Sequence, residues 1–122
     1  KTTDTTYAGT TLESTAAVAG DIVQFCAKNG KLFVGKNGTY VNSGNPATEA
    51  NPLFTGLTGR FFPVGGVYDS TSYNYTSIFN FGQDGTFAGN KTAQGNTDAS
   101  GFGNFFYSPP AGAKALCSRN NP

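Results

Sequence analysis

The sequence predicts an all-β fold, an antiparallel β-sandwich, on three observations. Two Asn-Gly pairs, Asn29-Gly30 and Asn37-Gly38, each lie between β-rich runs. The stretch from Tyr73 to Phe81 alternates large and small residues, and no segment carries a helical period. The 122 residues fit one domain, since chains split only beyond roughly 100–200 residues.

Taken in order, residues 1–20 form a Thr-rich arm or one or two weak first strands, with Tyr7, Leu12 and Val18 as the larger apolar side chains. The sandwich proper is expected over 21–122. Ile22 to Ala27 reads as a strand, followed by Lys28-Asn29-Gly30 and a second strand from Lys31 to Val34. Asn-Gly at a two-residue turn is the strongest local hairpin signal, because a type I′ turn needs positive φ at both positions. Asn37-Gly38 turns the chain again into Thr39-Tyr40-Val41, which predicts a three-strand meander. Residues 42–59 read as loop, with two Asn-Pro steps that disfavour helix. Extended structure resumes over Arg60 to Val64, with Pro63 marking an edge or a strand end. Tyr73, Tyr75, Ser77, Phe79 and Phe81 then share one strand face as an aromatic stripe. Gly82 to Gly103 is a Gly/Asn/Thr loop, longer than the roughly 12–15 residues at which loops are usually functional or disordered. Asn104 to Tyr107 and Ala113 to Cys117 are expected as closing strands.

Composition excludes several classes of function. Charged residues make up 12% of the chain and the net charge is +1, so there is no basic footprint for nucleic acid or an anionic membrane. No run approaches the roughly 20 apolar residues of a membrane span, and residues 1–20 lack a charged-then-apolar export pattern; an exported chain is expected to carry that signal elsewhere or to have lost it. The 11 Phe and 6 Tyr argue for a folded core despite 17 Gly, because each buried aromatic removes about 150–250 Å² from water. Histidine is absent, which removes the commonest general base, the usual partner of a nucleophilic Ser or Cys, and the commonest zinc ligand. No cofactor and no metal are expected. Cys26 and Cys117 match no redox or zinc spacing; either they form a disulfide across the sandwich, or each is a small buried hydrophobe, the reading we place first.

Few motifs carry chemistry. Gly85 to Thr92 imitates a phosphate loop but has Asn90 where glycine is needed, and no helix follows to aim its dipole. Asp84 and Asp98 are the only acids in one plausible shared loop. A glycosidase needs two carboxyls about 5–10 Å apart, and calcium needs several more oxygens, so the reading as turn formers is preferred. Both acids, with Tyr68 and Phe102, stay as ligand-binding candidates; Tyr40, Tyr73 and Tyr75 also have the apolar face and polar tip that suit a sugar ring. Asn37, Asn74 and Asn90 head N-x-S/T sequons and are candidate glycosylation sites, in a chain where chance matches are expected.

A resemblance adds to this reading. Gly20-Asp21-Ile22-Val23, Asn29-Gly30-Lys31-Leu32-Phe33-Val34 and Lys36-Asn37-Gly38-Thr39-Tyr40 resemble the Gly-Asp, Asn-Gly and Lys-Asn-Gly elements of SPRY (B30.2-like) domains. The likeness runs on through Asn42 to Pro46, Phe61 to Val64 and Phe79-Asn80-Phe81-Gly82-Gln83. It closes on Phe106 to Gly112 and Lys114-Ala115-Leu116-Cys117, in the form found in structural proteins of bacteriophages and environmental viruses. The resemblance implies a concanavalin-like sandwich that recognises partners and catalyses nothing. The expected setting is a virion tail or capsid fibre, or an extracellular fibre, with other copies of the chain, fibre or virion proteins, or a cell-surface glycan or protein as partners. A stand-alone lectin-like domain is the alternative. The family's Trp-containing front strands have no counterpart here, as the chain has no Trp. Three readings follow: a trimmed sandwich, a fragment of a larger protein, or an incomplete sandwich completed by a neighbouring chain, the last with the Thr-rich arm as a candidate donor strand.

Overall fold

A computed structural model describes residues 17–60, 62 and 76–120. The protein is all-β: among the described residues there is a three-stranded antiparallel sheet, three isolated bridges and two short 3-10 turns, with no α-helix. The chain divides into two compact units, Lys1–Thr58 with Pro110–Ala113, and Gly59–Pro109 with Lys114–Pro122.

The first unit is the predicted meander. Strand β1 (Val23–Lys28) pairs antiparallel with β2 (Lys31–Lys36), and β2 with β3 (Thr39–Tyr40). Both connections are two-residue turns with positive φ at each position: Asn29 at 48° and Gly30 at 71°, Asn37 at 51° and Gly38 at 89°. That is the type I′ geometry, whose twist matches the strands it joins. The second turn is tied down by its own side chain. Asn37 Oδ1 accepts from Ile22 N–H at 2.9 Å, and its Nδ2 donates to Asp21 Oδ1 at 2.6 Å. Backbone donation from Val18, then Asn37, holds the Asp21 carboxyl below the usual carboxylate range.

The middle of β2 sets the core, with Phe33, Val34 and Gly35 all buried. Phe33, 1% exposed, lies opposite Cys26 and meets the Tyr40 ring edge-on at 6.4 Å and 84°. Val34 and Leu53 are buried as well. Burial of one Phe stabilises by roughly 1.5–3 kcal/mol, and the same dry surroundings push the Tyr40 phenol up to about 12. Beyond the Pro46 turn, Leu53 N–H donates to Leu32 O at 2.8 Å and Phe54 O accepts from Leu32 N–H at 3.0 Å, adding a bridge to the side of β2 away from β1. The Lys28 ammonium donates to the carbonyls of Pro46, Ala47 and Ala111 at 3.2–3.3 Å. Glu49 lies 3.7 Å from that ammonium, and its Oε2 accepts from Lys31 Nζ at 3.0 Å.

The second unit corrects three expectations. Residues 76–81 join no ladder, because Gln83 captures their backbone: its Nε2 donates to Phe79 O and its Oε1 accepts from Phe81 N–H. Residues 104–107 and 113–117 are not strands either. Only Phe105 pairs, in a bridge to Asn96, and both backbone groups of Ala115 are engaged by side chains, as described below. Arg60 and Phe62 lie outside any strand. Residues 1–16, 61 and 63–75, with the remainder of those expected strands, fall outside the described residues.

Candidate docking surface

Within the second unit, the 82–103 loop is built on side chains that take the place of strand partners. Asn80 accepts at Oδ1 from the N–H groups of Gly82 (2.7 Å) and Asp84 (3.2 Å), and its Nδ2 donates to Asn104 O at 2.9 Å. Asn96 donates to Phe106 O at 2.8 Å. Asp84 folds onto its own turn. Its Oδ1 accepts from Thr86 Oγ1 (2.6 Å) and Thr86 N–H (2.8 Å), and its Oδ2 from Ala88 N–H (2.8 Å). These donors, the Thr86 hydroxyl foremost, lower its pKa. They also hold Phe87 and Ala88 at φ 51° and 55°, a left-handed conformation that β-carbon-bearing residues rarely adopt.

Asp98 is the hub. It is 5% exposed, and its carboxylate accepts four hydrogen bonds. Ser100 and Phe102 N–H donate to Oδ1 at 2.9 Å each; Ala115 N–H (2.9 Å) and Asn120 Nδ2 (2.7 Å) donate to Oδ2. Asn120 Nδ2 also reaches Ala115 O at 2.9 Å. A carboxylate offers about four acceptor positions, so this one is saturated without a cation. The donors, Ala115 and then Phe102, hold its pKa down to about 2.

This scaffold shapes a surface. Phe102, half-buried, carries the Arg119 guanidinium 5.8 Å above its ring, within cation–π range. Phe79 and Phe81 stack at 6.2 Å with planes 17° apart, as expected for alternate residues of an extended segment. A shallow cavity of about 130 Å³ opens between Phe81, Gly82, Gln83, Gly103 and Ala115–Cys117. Its floor requires glycine: Gly103 has φ 97°, and a β-carbon there would collide with the Phe105 ring. Leu116, 66% exposed, stands at its rim.

The candidate residues from sequence fall into different places. Asp98 and Phe102 share one turn, whereas Asp84 closes another and shares no hydrogen-bond partner with Asp98. Tyr68 and Asn74 lie outside the described residues, as do Tyr73 and Tyr75, and Tyr40 packs on Phe33. The amide nitrogen of Asn37 is bonded to Asp21 and that of Asn90 to Phe87 O at 2.7 Å. Both cysteines carry free thiols rather than a disulfide, Cys26 buried in the first unit and Cys117 exposed in the second. Sequence reasoning missed Asn80, Asn96, Asn104 and Asn120; in a chain so rich in Asn, nothing marks these four as structural. Among the described residues no three His, Cys, Asp or Glu side chains gather as a metal site requires, and no helix is long and apolar enough to cross a membrane. No family model, curated protein or solved structure matches the chain.

Proposed function

We propose that the protein is a non-enzymatic docking module, a SPRY-like antiparallel β-sandwich acting as a structural or adhesive part of a virion fibre or an extracellular fibre. The observation that carries this reading is the size and lining of the cavity. At about 130 Å³ it falls short of the roughly 300–1,000 Å³ of small-molecule sites. It is the size of one inserted side chain, and its rim is apolar at Phe81 and Leu116. That suits a macromolecular contact. The two acids that would serve hydrolysis are turned onto backbone N–H groups, with Asp98 buried and its pKa about 2, which is the wrong state for a general acid. The SPRY-like strings and the weakly charged composition support a place outside the cell or in a virion.

The test is immunogold labelling with an antibody raised against the chain, on particles and filaments from the producing culture. Gold on particle projections or fibres is the expected result. Label confined to cell interiors, or turnover of chromogenic glycosides that disappears in Asp84→Asn, contradicts the proposal. Saturable binding of free oligosaccharide, lost on trimming the 82–103 loop, would favour the lectin-like alternative.

A further inference from the structure

The outer edge of β1 carries a feature that the docking reading does not use. In the β1–β2 hairpin the pair flanking the two-residue turn, Lys28 and Lys31, bonds inward, and inward bonding then recurs at every second residue. Asn37 N–H donating to Ile22 O at 2.9 Å continues that phase at the far end. Ile22, Gln24, Cys26 and Lys28 therefore face β2 with their backbone groups, and Val23, Phe25 and Ala27 direct theirs away from it. Among the described residues β1 has a ladder partner on one side only.

The same three residues carry exposed apolar side chains: Phe25 is 68% exposed, Val23 42%, and Ala27 is exposed. Edge strands are normally guarded by lysine, proline, a bulge or a covering segment. None of the first three guards stands between Val23 and Ala27: the stretch has no charge and no proline, and its register is unbroken. The nearby Lys28 ammonium is turned into the carbonyls of Pro46, Ala47 and Ala111 beside Glu49, so it does not repel an approaching strand.

We propose that this edge is completed by a second copy of the chain, β1 against β1, antiparallel about a two-fold axis through Phe25. This deepens the docking reading and rests on it for its biological setting. Self-pairing is favoured by the edge's own symmetry. Centred on Phe25, the register sets Phe25 opposite the second copy's Phe25 and Val23 opposite its Ala27. Every outward N–H and C=O of the three residues then finds a partner, apolar meets apolar, and no like charges oppose each other. The net charge of +1 offers little general repulsion. A strand this short makes a small interface, so dissociation constants on the order of 10–100 µM are expected.

Sedimentation velocity on the full chain from about 1 to 300 µM tests this, beside two variants. Ala27→Pro removes an outward N–H and leaves every β1–β2 bond in place; Phe25→Lys installs an edge guard. The expected result is a concentration-dependent dimer, with dissociation weakened at least about tenfold in both variants while their β1–β2 amides keep native exchange protection. Register is checked by Phe25→Cys in a Cys26→Ala, Cys117→Ser background, which should cross-link between chains under mild oxidation while Gln24→Cys in the same background should not. A wild-type monomer at 300 µM overturns the inference, as does a dimer that both variants leave intact or cross-linking at Gln24 in place of Phe25. A folded monomer whose antibody still decorates fibres would overturn this pairing alone; failure of that labelling with the dimer intact would overturn only the docking reading.

Discussion

Phe33 and Ala115 are both buried, and their backbones are satisfied by different means. Phe33 exchanges bonds with Cys26 across a strand ladder, backbone to backbone. Ala115 gives its N–H to the Asp98 carboxylate, and its carbonyl accepts from the Asn120 amide as well as from Cys117 N–H. The β1–β2 ladder of the first unit thus rests on neutral bonds shared among many residues, and the Asp98 turn of the second concentrates its order on a few polar side chains. A ladder tolerates the loss of one side chain's polar group and fails when its apolar core is hollowed. A side-chain hub has the reverse weakness and acquires a pH dependence that the ladder lacks.

The largest expected effect is Phe33→Ala, which should destabilise the sheet by about 3–5 kcal/mol, read as a lower urea midpoint by far-ultraviolet dichroism. A change below about 1 kcal/mol would mean that Phe33 is not the centre of that core. Next comes Asp98→Asn. The substituted amide sets an N–H₂ group against backbone donors, and a thermal midpoint lower by about 5–10 °C is expected.

Acid should act on both units, with different salt dependence. The Asp98 pKa falls from 3.8 to about 2 on folding, so the ionised form favours the folded state. Its contribution is complete above pH 3.8 and is lost as the pH falls towards about 2. Its donors are uncharged amides, so added salt should leave that loss unchanged. Glu49 also has a lowered pKa, held first by the hydrogen bond from Lys31, and screening should shrink its share; Asp21, lowered mainly by Val18 N–H and the Asn37 amide, should keep most of its own. Proton titrations of these carboxyls by NMR at low and high salt separate the two behaviours. The smallest effect concerns Tyr40. Burial raises its pKa to about 12, so the neutral phenol favours the fold, and this contribution is present below about pH 10 and lost as the pH rises towards about 12. Absorbance titration should show a late-titrating tyrosine component that Tyr40→Phe removes.

The sequence made the sheet readable and left the second unit obscure, for a physical reason. Asn29-Gly30 and Asn37-Gly38 encode hairpins within four residues, and the period of Phe33 against Cys26 sets the buried face locally. Asn80 bonding to Asn104, or Asp98 to Ala115, links positions far apart in sequence through residue types that occur throughout the chain. The alternation from Tyr73 to Phe81, of which 76–81 are described, points to a strand because side-chain period reports extended backbone, and extended backbone need not find a ladder. Of the candidate site, the 82–103 loop and the separate candidates Asp98 and Phe102 are named from sequence, whereas the bond between those two residues, the Gly103 floor and the role of Arg119 depend on tertiary placement.

Residue-resolved amide exchange on the wild type and Asp98→Asn tests most directly whether the second unit hangs on one carboxylate. The Ser100, Phe102 and Ala115 amides should lose protection together in the variant, while Cys26 and Phe33 keep theirs. Retained protection at those three amides, or an even loss that includes the β1–β2 ladder, would contradict the account.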